Sequence, residues 1–241
     1  PYESRYLSID GQKMHYVDEG EGDTLLFVHG NPTWSFYWHP LIDAFRETHR
    51  CVAADHIGCG LSDKPADYPY TLSTHVTNLT RLVDALDLSN ATLLAHDCGV
   101  AIGLSAVLNL TDRFSRIVLF NTGAFPPPFI PLRIRVCRWP VFGRVALQGM
   151  NAFSRAALTM ATKKPEKMTA DVRRIVNPVR QLGEPDCRLS FREGHSNIAT
   201  ASNVASLGGH GSPSADVVGQ VDKVDLGHAR LVLSPFVPGP L

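Results

Sequence analysis

Four apolar runs constrain this chain more than any other feature: "TLLFVHG" (24–30), "RCVAADHIGCG" (50–60), "ATLLAHD" (91–97) and "RIVLFNT" (116–122). They do not alternate between apolar and polar residues. A strand with one wet face alternates, whereas an unbroken run marks a strand covered on both faces, as in a parallel sheet between helix layers. Helical spacing lies between the runs. Residues 71–88 put Leu72, Val76, Leu79, Leu82, Val83 and Leu86 on one face, and "FYWHPLIDAFRE" (36–47) has the spacing of a short helix. Ahead of them, "RYLSIDGQKMHYVDEG" (5–20) reads as a hairpin turning at Asp10-Gly11. Strands alternating with helices form βαβ units. The expected architecture is therefore a mainly parallel sheet that binds its ligand at the carboxyl ends of the strands.

Bulk properties narrow the functions. With 241 residues and 44% apolar content, one large α/β domain, or a domain with an insertion, can form a core. Lys+Arg and Asp+Glu balance at 23 each, which argues against nucleic-acid binding by bulk charge. No apolar run reaches the roughly 18 residues of a membrane span. The five cysteines are odd in number and lack C-x-x-C spacing, so they read as reduced thiols of a cytoplasmic protein. No metal-ligand cluster is evident, and "GCG" (58–60) lacks the third glycine of a dinucleotide fingerprint. No cofactor is expected. Oligomeric state leaves no signature.

The chain divides into three parts. Residues 1–125 carry the βαβ pattern. From Pro126 the triple proline opens an Arg-rich helical region, with 13 Lys/Arg against 4 Asp/Glu over residues 131–192, and residues 126–178 are read as a helical cap inserted over the sheet. The basic residues there are read as a solvated helix face. Residues 179–241 are different again: they hold two aromatics, Phe191 and Phe236, and a Gly/Ser-rich stretch "TASNVASLGGHGSPSADVVG". This is poor material for the second half of a sheet, which is accordingly read as missing.

Three strand ends carry the chemistry: "HGNP" (29–32), "DHIGCGLSD" (55–63) and "AHDCG" (95–99). Asp97 could be no more than a helix N-cap. Its setting, though, is small-x-nucleophile-x-Gly, the spacing of a nucleophile elbow with Ala95 in place of the first glycine. Such a turn is too tight for side chains on its flanks and lifts the central residue into the pocket. It also aims the amides of the following helix at developing negative charge. An aspartate at the centre would form a covalent ester.

"VHGNPTWSFYW", "DHIGCGLSDKP", "LLAHDCGVAIG" and "LFNTGAFP" together resemble the haloalkane dehalogenases of the α/β-hydrolase fold. "SDKPADYPYTL" and "NAFSRAAL" pull the resemblance towards the β-lactone (cis-3-alkyl-4-alkyloxetan-2-one) decarboxylases of bacterial olefin synthesis. It covers roughly residues 10–178. The resemblance implies an α/β-hydrolase fold and a small apolar substrate with a leaving group on an sp³ carbon. Asp97 would attack that carbon, displacing a halide or opening a strained lactone. The amides of Asn31 and Cys98 would form the oxyanion hole, and the Asn31 side chain would help hold the leaving group. Pro32 would fix the loop. His29 and His96 would order their turns by hydrogen bonds, and Asp55 and Asp63 would be structural turn residues.

Two departures stand out. Where the family carries an indole after the nucleophile, this chain has Cys98, a weak donor, and losing a donor to a developing anion costs about 3 kcal/mol. Asn121 stands where some relatives carry the triad acid, a role an amide cannot fill.

No general base is identified. The acid and the histidine belong beyond Pro178, where the pattern stops. His195, His210 and His228 lie in the tail, and "DLGHARL" around His228 has no preceding apolar strand with an acidic end. Read one base out of register from Val179, permitted codons give YDSWANRIAVYRFVKDIP, which resembles the family's cap, and "ADVVGQ" can become LMLWGK, which resembles the missing strand. The tail thus reads as frame-shifted. The chain as written is expected to be poorly soluble and inactive. On another reading it is a remnant that only binds ligand.

Overall fold

The computed structural model describes residues 2–31, 33–120 and 216–218. Strands β1 (Arg5–Ile9) and β2 (Gln12–Glu19) form the hairpin, turning at Asp10 and Gly11, which take φ of 48° and 81°. The next strands are β3 (Thr24–Val28), β4 (Arg50–Ala54), β5 (Ala91–His96) and β6 (Phe114–Phe120). Helix α1 (His39–Phe45) joins β3 to β4, α2 (Leu72–Ala85) joins β4 to β5, and α3 (Gly99–Asn109) joins β5 to β6.

The strand order is β1-β2-β4-β3-β5-β6-β7, where β7 is Asp216–Val218. Beyond the antiparallel β1-β2-β4 edge every pairing is parallel. β7 runs beside β6 with Arg116 opposite Asp216 and Val118 opposite Val218. The segment read as the place of a lost strand thus supplies three residues at that edge. The proposed cap (126–178), the rest of the tail, Pro32, Asn121 and the three tail histidines lie outside the described residues.

The unbroken apolar runs divide residue by residue between two cores. In β3, Leu26 and Val28 face the layer of α2 and α3, with Val52, Leu79, Leu82, Leu93, Val100 and Val107. Leu25 and Phe27 face the α1 side, with Trp38, Ile42, Cys51, Leu94 and Phe120. Period-two geometry under cover on both faces produces this division. On α2 the buried residues include Val76, Leu79, Leu82 and Val83, the stripe expected from spacing. The Thr71 side chain caps that helix by accepting the Thr74 amide at 3.1 Å.

Residues 35–45 depart from the single helix read in the sequence. Ser35–Trp38 form a 3-10 turn and α1 begins at His39. Pro40, in the first turn of α1, has no N–H to extend an earlier helix.

The order also locates a crevice. From β3 the chain passes through α1 to β4 on one side, and from β5 it passes through α3 to β6 on the other. Their carboxyl ends diverge, which is the topological switch point where open α/β sheets bind ligands.

Candidate active site

Asp97 stands at that switch point. It follows β5 with φ of 53°, a left-handed backbone rarely adopted by non-glycine residues, and its side chain is exposed. Its amide donates to the Phe120 carbonyl at 3.3 Å and its carbonyl accepts from Val100 at 3.1 Å, so the turn is tied to both β6 and α3. The N-terminus of α3 lies two residues further on, its amides favouring negative charge at Asp97.

Close approach of backbones explains the small residues. A Cβ on Gly99 would stand 2.4 Å from the His29 carbonyl oxygen and 2.7 Å from that of Val28. A Cβ on Gly30 would stand 2.5 Å from the Asp97 Cβ and 2.8 Å from its Oδ1. Both glycines are required by space, since these neighbours are backbone or the aspartate itself. Gly103, one turn into α3, lets the helix settle on Leu93, whose Cδ2 would lie 3.0 Å from an added Cβ.

Asn31 is half-buried on the loop after β3, and its amide donates to Cys98 Sγ at 3.2 Å. Burial, and then the Asp97 charge, push the Cys98 thiol well above its ordinary range, so the sulfur keeps its proton. The three residues singled out from sequence are therefore brought together at the switch point. Cys51 and Cys59 are also free thiols.

The two neighbouring histidines differ. His29 is fully buried; its Nδ1 donates to the Gly30 carbonyl at 3.0 Å and its Nε2 accepts the His56 amide at 3.0 Å, tying the β3 loop to the β4 loop. Burial lowers its pKa. His96 is held by ring contacts: Tyr37 stacks on it with centroids 4.6 Å apart, Trp38 meets it edge-on at 6.5 Å, and its Nδ1 is buried without a hydrogen-bond partner.

Asp55, fully buried, is the hub of the loops behind the site. Its Oδ1 accepts the Ser35 amide at 2.7 Å, and its Oδ2 accepts the Leu61 amide and His15 Nδ1, each at 2.8 Å. Burial alone would raise its pKa, but His15, His29 and the Leu61 amide together hold the carboxyl below the usual range. Asp63 pins the loop to the hairpin by accepting the Lys13 amide at 2.7 Å.

Tyr37 escaped sequence reasoning. It is 41% exposed, lies over His96, and has its phenol pKa raised by burial and then by the Asp97 charge. No local pattern encodes that contact, because it joins the loop after β3 to the end of β5. Among the described residues no group of three or more His, Cys, Asp or Glu is arranged to hold a metal, and no helix is long and apolar enough to cross a membrane.

Comparison with known proteins adds to this geometry. The alpha/beta hydrolase fold family matches residues 23–165. A cis-3-alkyl-4-alkyloxetan-2-one decarboxylase of Shewanella oneidensis is 44% identical over 170 residues, 68% of this chain and 54% of that protein. Haloalkane dehalogenase 2 of Mycobacterium tuberculosis is 37% identical over 133 residues, 55% of this chain and 46% of that protein. The chain spans about half the length of the curated relatives it matches. The crystal structure of the haloalkane dehalogenase DatA from Agrobacterium tumefaciens superposes with a TM-score of 0.71 at 24% identity, over 89% of this chain and 78% of that one, and shares its fold.

Proposed function

This chain belongs to the alpha/beta hydrolase fold family, and from that premise we propose that Asp97 is a carboxylate nucleophile that attacks an sp³ carbon and forms an alkyl-enzyme ester. The observation that carries this reading is the exposed Asp97 at φ of 53°, seated between Gly30 and Gly99 at the switch point. Asp10 takes the same left-handed backbone in a plain hairpin turn, so the weight rests on the seating of Asp97 between two space-limited glycines at the switch point.

Two substrate classes suit this nucleophile. With a β-lactone, a carboxylate oxygen attacks the sp³ ring carbon bonded to the ring oxygen. The C–O bond breaks and its electron pair stays on the released carboxylate. That carboxylate then loses carbon dioxide, the freed pair forms the carbon–carbon double bond, and Asp97 departs as carboxylate. The products are an alkene and carbon dioxide, and no water is consumed. With a haloalkane the carbon–halogen pair leaves as halide, and the ester must then be hydrolysed by an activated water. Among the described residues no histidine offers itself for that second step, since His29 uses both ring nitrogens and His96 is covered by Tyr37. The name of the 44% identical relative favours the lactone. Haloalkane chemistry is the second reading, favoured by the dehalogenase relatives.

The test is intact-mass analysis after incubation with 1-bromohexane, together with headspace detection of alkene and carbon dioxide from a cis-3,4-dialkyl β-lactone. An adduct that maps to Asp97 and is absent in Asp97→Asn, with alkene released from the lactone, is the expected result. An unmodified mass and no alkene would overturn the proposal, and saturable binding without either product would leave a ligand-binding remnant. We also propose that residues after Pro178 are frame-shifted. Resequencing the coding DNA from Arg174 to the stop should reveal a gained or lost base, and a confirmed frame would refute this.

A further inference from the structure

We propose that the Cys98 thiol is a latch across the resting site, holding the nucleophile and the anion-binding amide at once and selecting leaving groups that become oxygen anions. The inference rests on the reading of Asp97 as nucleophile. Its geometric basis is the contact on the sulfur, where the Asn31 amide donates to Sγ at 3.2 Å; that the S–H turns to the carboxylate of the adjacent Asp97 is part of the proposal. The amide best placed to meet a developing anion is therefore occupied before substrate arrives, and the attacking oxygen is itself hydrogen-bonded.

Both contacts belong to the ground state. An interaction made before the transition state and lost within it slows the chemical step, so the latch restrains attack until something displaces it. What displaces it depends on the leaving atom. A thiol sulfur is a weak acceptor. A carboxylate oxygen forms charge-assisted bonds about twice as strong as neutral ones and takes the Asn31 amide from sulfur readily. Bromide and iodide are large, diffuse acceptors and compete with sulfur less well. The ring oxygen of a lactone becomes a carboxylate as it leaves, so opening a lactone releases the latch and expelling a halide does not. Cys98 is thus a positioning residue that sets leaving-group preference.

The experiment compares wild type with Cys98→Ala and Cys98→Ser. Serine keeps a small side chain but donates and accepts more strongly, so it tightens the latch, while alanine removes it. Bromide binding, followed by ⁸¹Br NMR line broadening, is expected to be about 3- to 10-fold tighter in Cys98→Ala than in wild type, the range corresponding to one net hydrogen bond, and weaker in Cys98→Ser. Ester formation should follow the order Ala, Cys, Ser, with 1-bromohexane gaining more from alanine than the lactone does. A packing role predicts the reverse, with alanine worst and serine close to wild type, and that order would overturn the proposal. As a check independent of any variant's activity, the infrared S–H band of wild type should lie below that of a free thiol and return towards it in Asp97→Asn. A band at the free-thiol position would equally overturn it. If bromide binding and the S–H band behave as expected and no ester forms on Asp97, the contacts of Cys98 stand, while the nucleophile reading and with it the leaving-group role fail. If all three proteins form the ester at one rate, the nucleophile stands and the latch fails.

Discussion

Replacing Asp55 by asparagine and by alanine separates a charge hub from a mere filler of space. Asp55 accepts from three donors, the Ser35 amide at 2.7 Å and the Leu61 amide and His15 Nδ1 at 2.8 Å. Hydrogen bonds to a charged group contribute about 1.5–3 kcal/mol each, and they do not add fully within one network. Alanine strands all three donors, so Asp55→Ala is expected to cost about 4–6 kcal/mol, a large part of the roughly 5–15 kcal/mol that holds a typical fold together. Asparagine strands fewer. Its oxygen still accepts from Ser35, and its NH₂ group faces the other two donors. His15 can respond by moving its proton to Nε2, where the Ser4 hydroxyl lies 3.2 Å away, leaving Nδ1 to accept from the new amide. Leu61 cannot respond, because its donor is a backbone N–H. Asp55→Asn should therefore cost about 1–3 kcal/mol, the penalty for one orphaned donor. The assay is denaturant unfolding of both variants and wild type at pH 7.5, with the m-value compared across the three. Equal losses in the two variants, or a loss below about 0.5 kcal/mol in either, would refute the reasoning.

Two further outcomes follow from the same structure. His75 is pushed down to about 4 by burial and then by the neighbouring His29, so the unfolded chain binds its proton first. Its contribution to stability is complete above the unfolded value of about 6.5 and is lost as pH falls towards the folded value, amounting to about 3 kcal/mol. His75→Gln should flatten the pH dependence of urea unfolding in that window, and a profile parallel to wild type would contradict the assignment. Gly99→Ala places a methyl 2.4 Å from a backbone oxygen that cannot yield. It should destabilise by about 1–3 kcal/mol and abolish labelling of Asp97, as judged by melting and intact mass; a variant with wild-type labelling would mean the elbow has slack.

Those features with a local cause could be read from the sequence. The covered strands announced themselves because a parallel strand has no wet face, and the stripe of α2 because its period is that of a helix. Asp97 was legible because a tight strand-to-helix turn leaves a signature of small residues at fixed offsets. The engagement of Asn31 by Cys98 was not legible, since it joins residues 67 positions apart whose nearness is created by the parallel pairing of β3 and β5. The stacking of Tyr37 on His96 is hidden for the same reason. The Asp55 hub was read only as a turn residue, because its donors come from the hairpin, the 3-10 turn and its own loop.

The pairing of β3 with β5 has a consequence for how such a site can change over time. Val28 lies opposite Ala95, so the loops carrying Asn31 and Asp97 depart from two strands whose separation is set by backbone hydrogen bonds alone. No side chain at the rim takes part in setting that distance. A rim side chain such as Tyr37 can therefore be exchanged while the strand ends that lead to Asn31 and Asp97 keep their spacing. Change in such a scaffold is modular: the ladder keeps the two strand ends in register, and the side chains at the rim are free to vary.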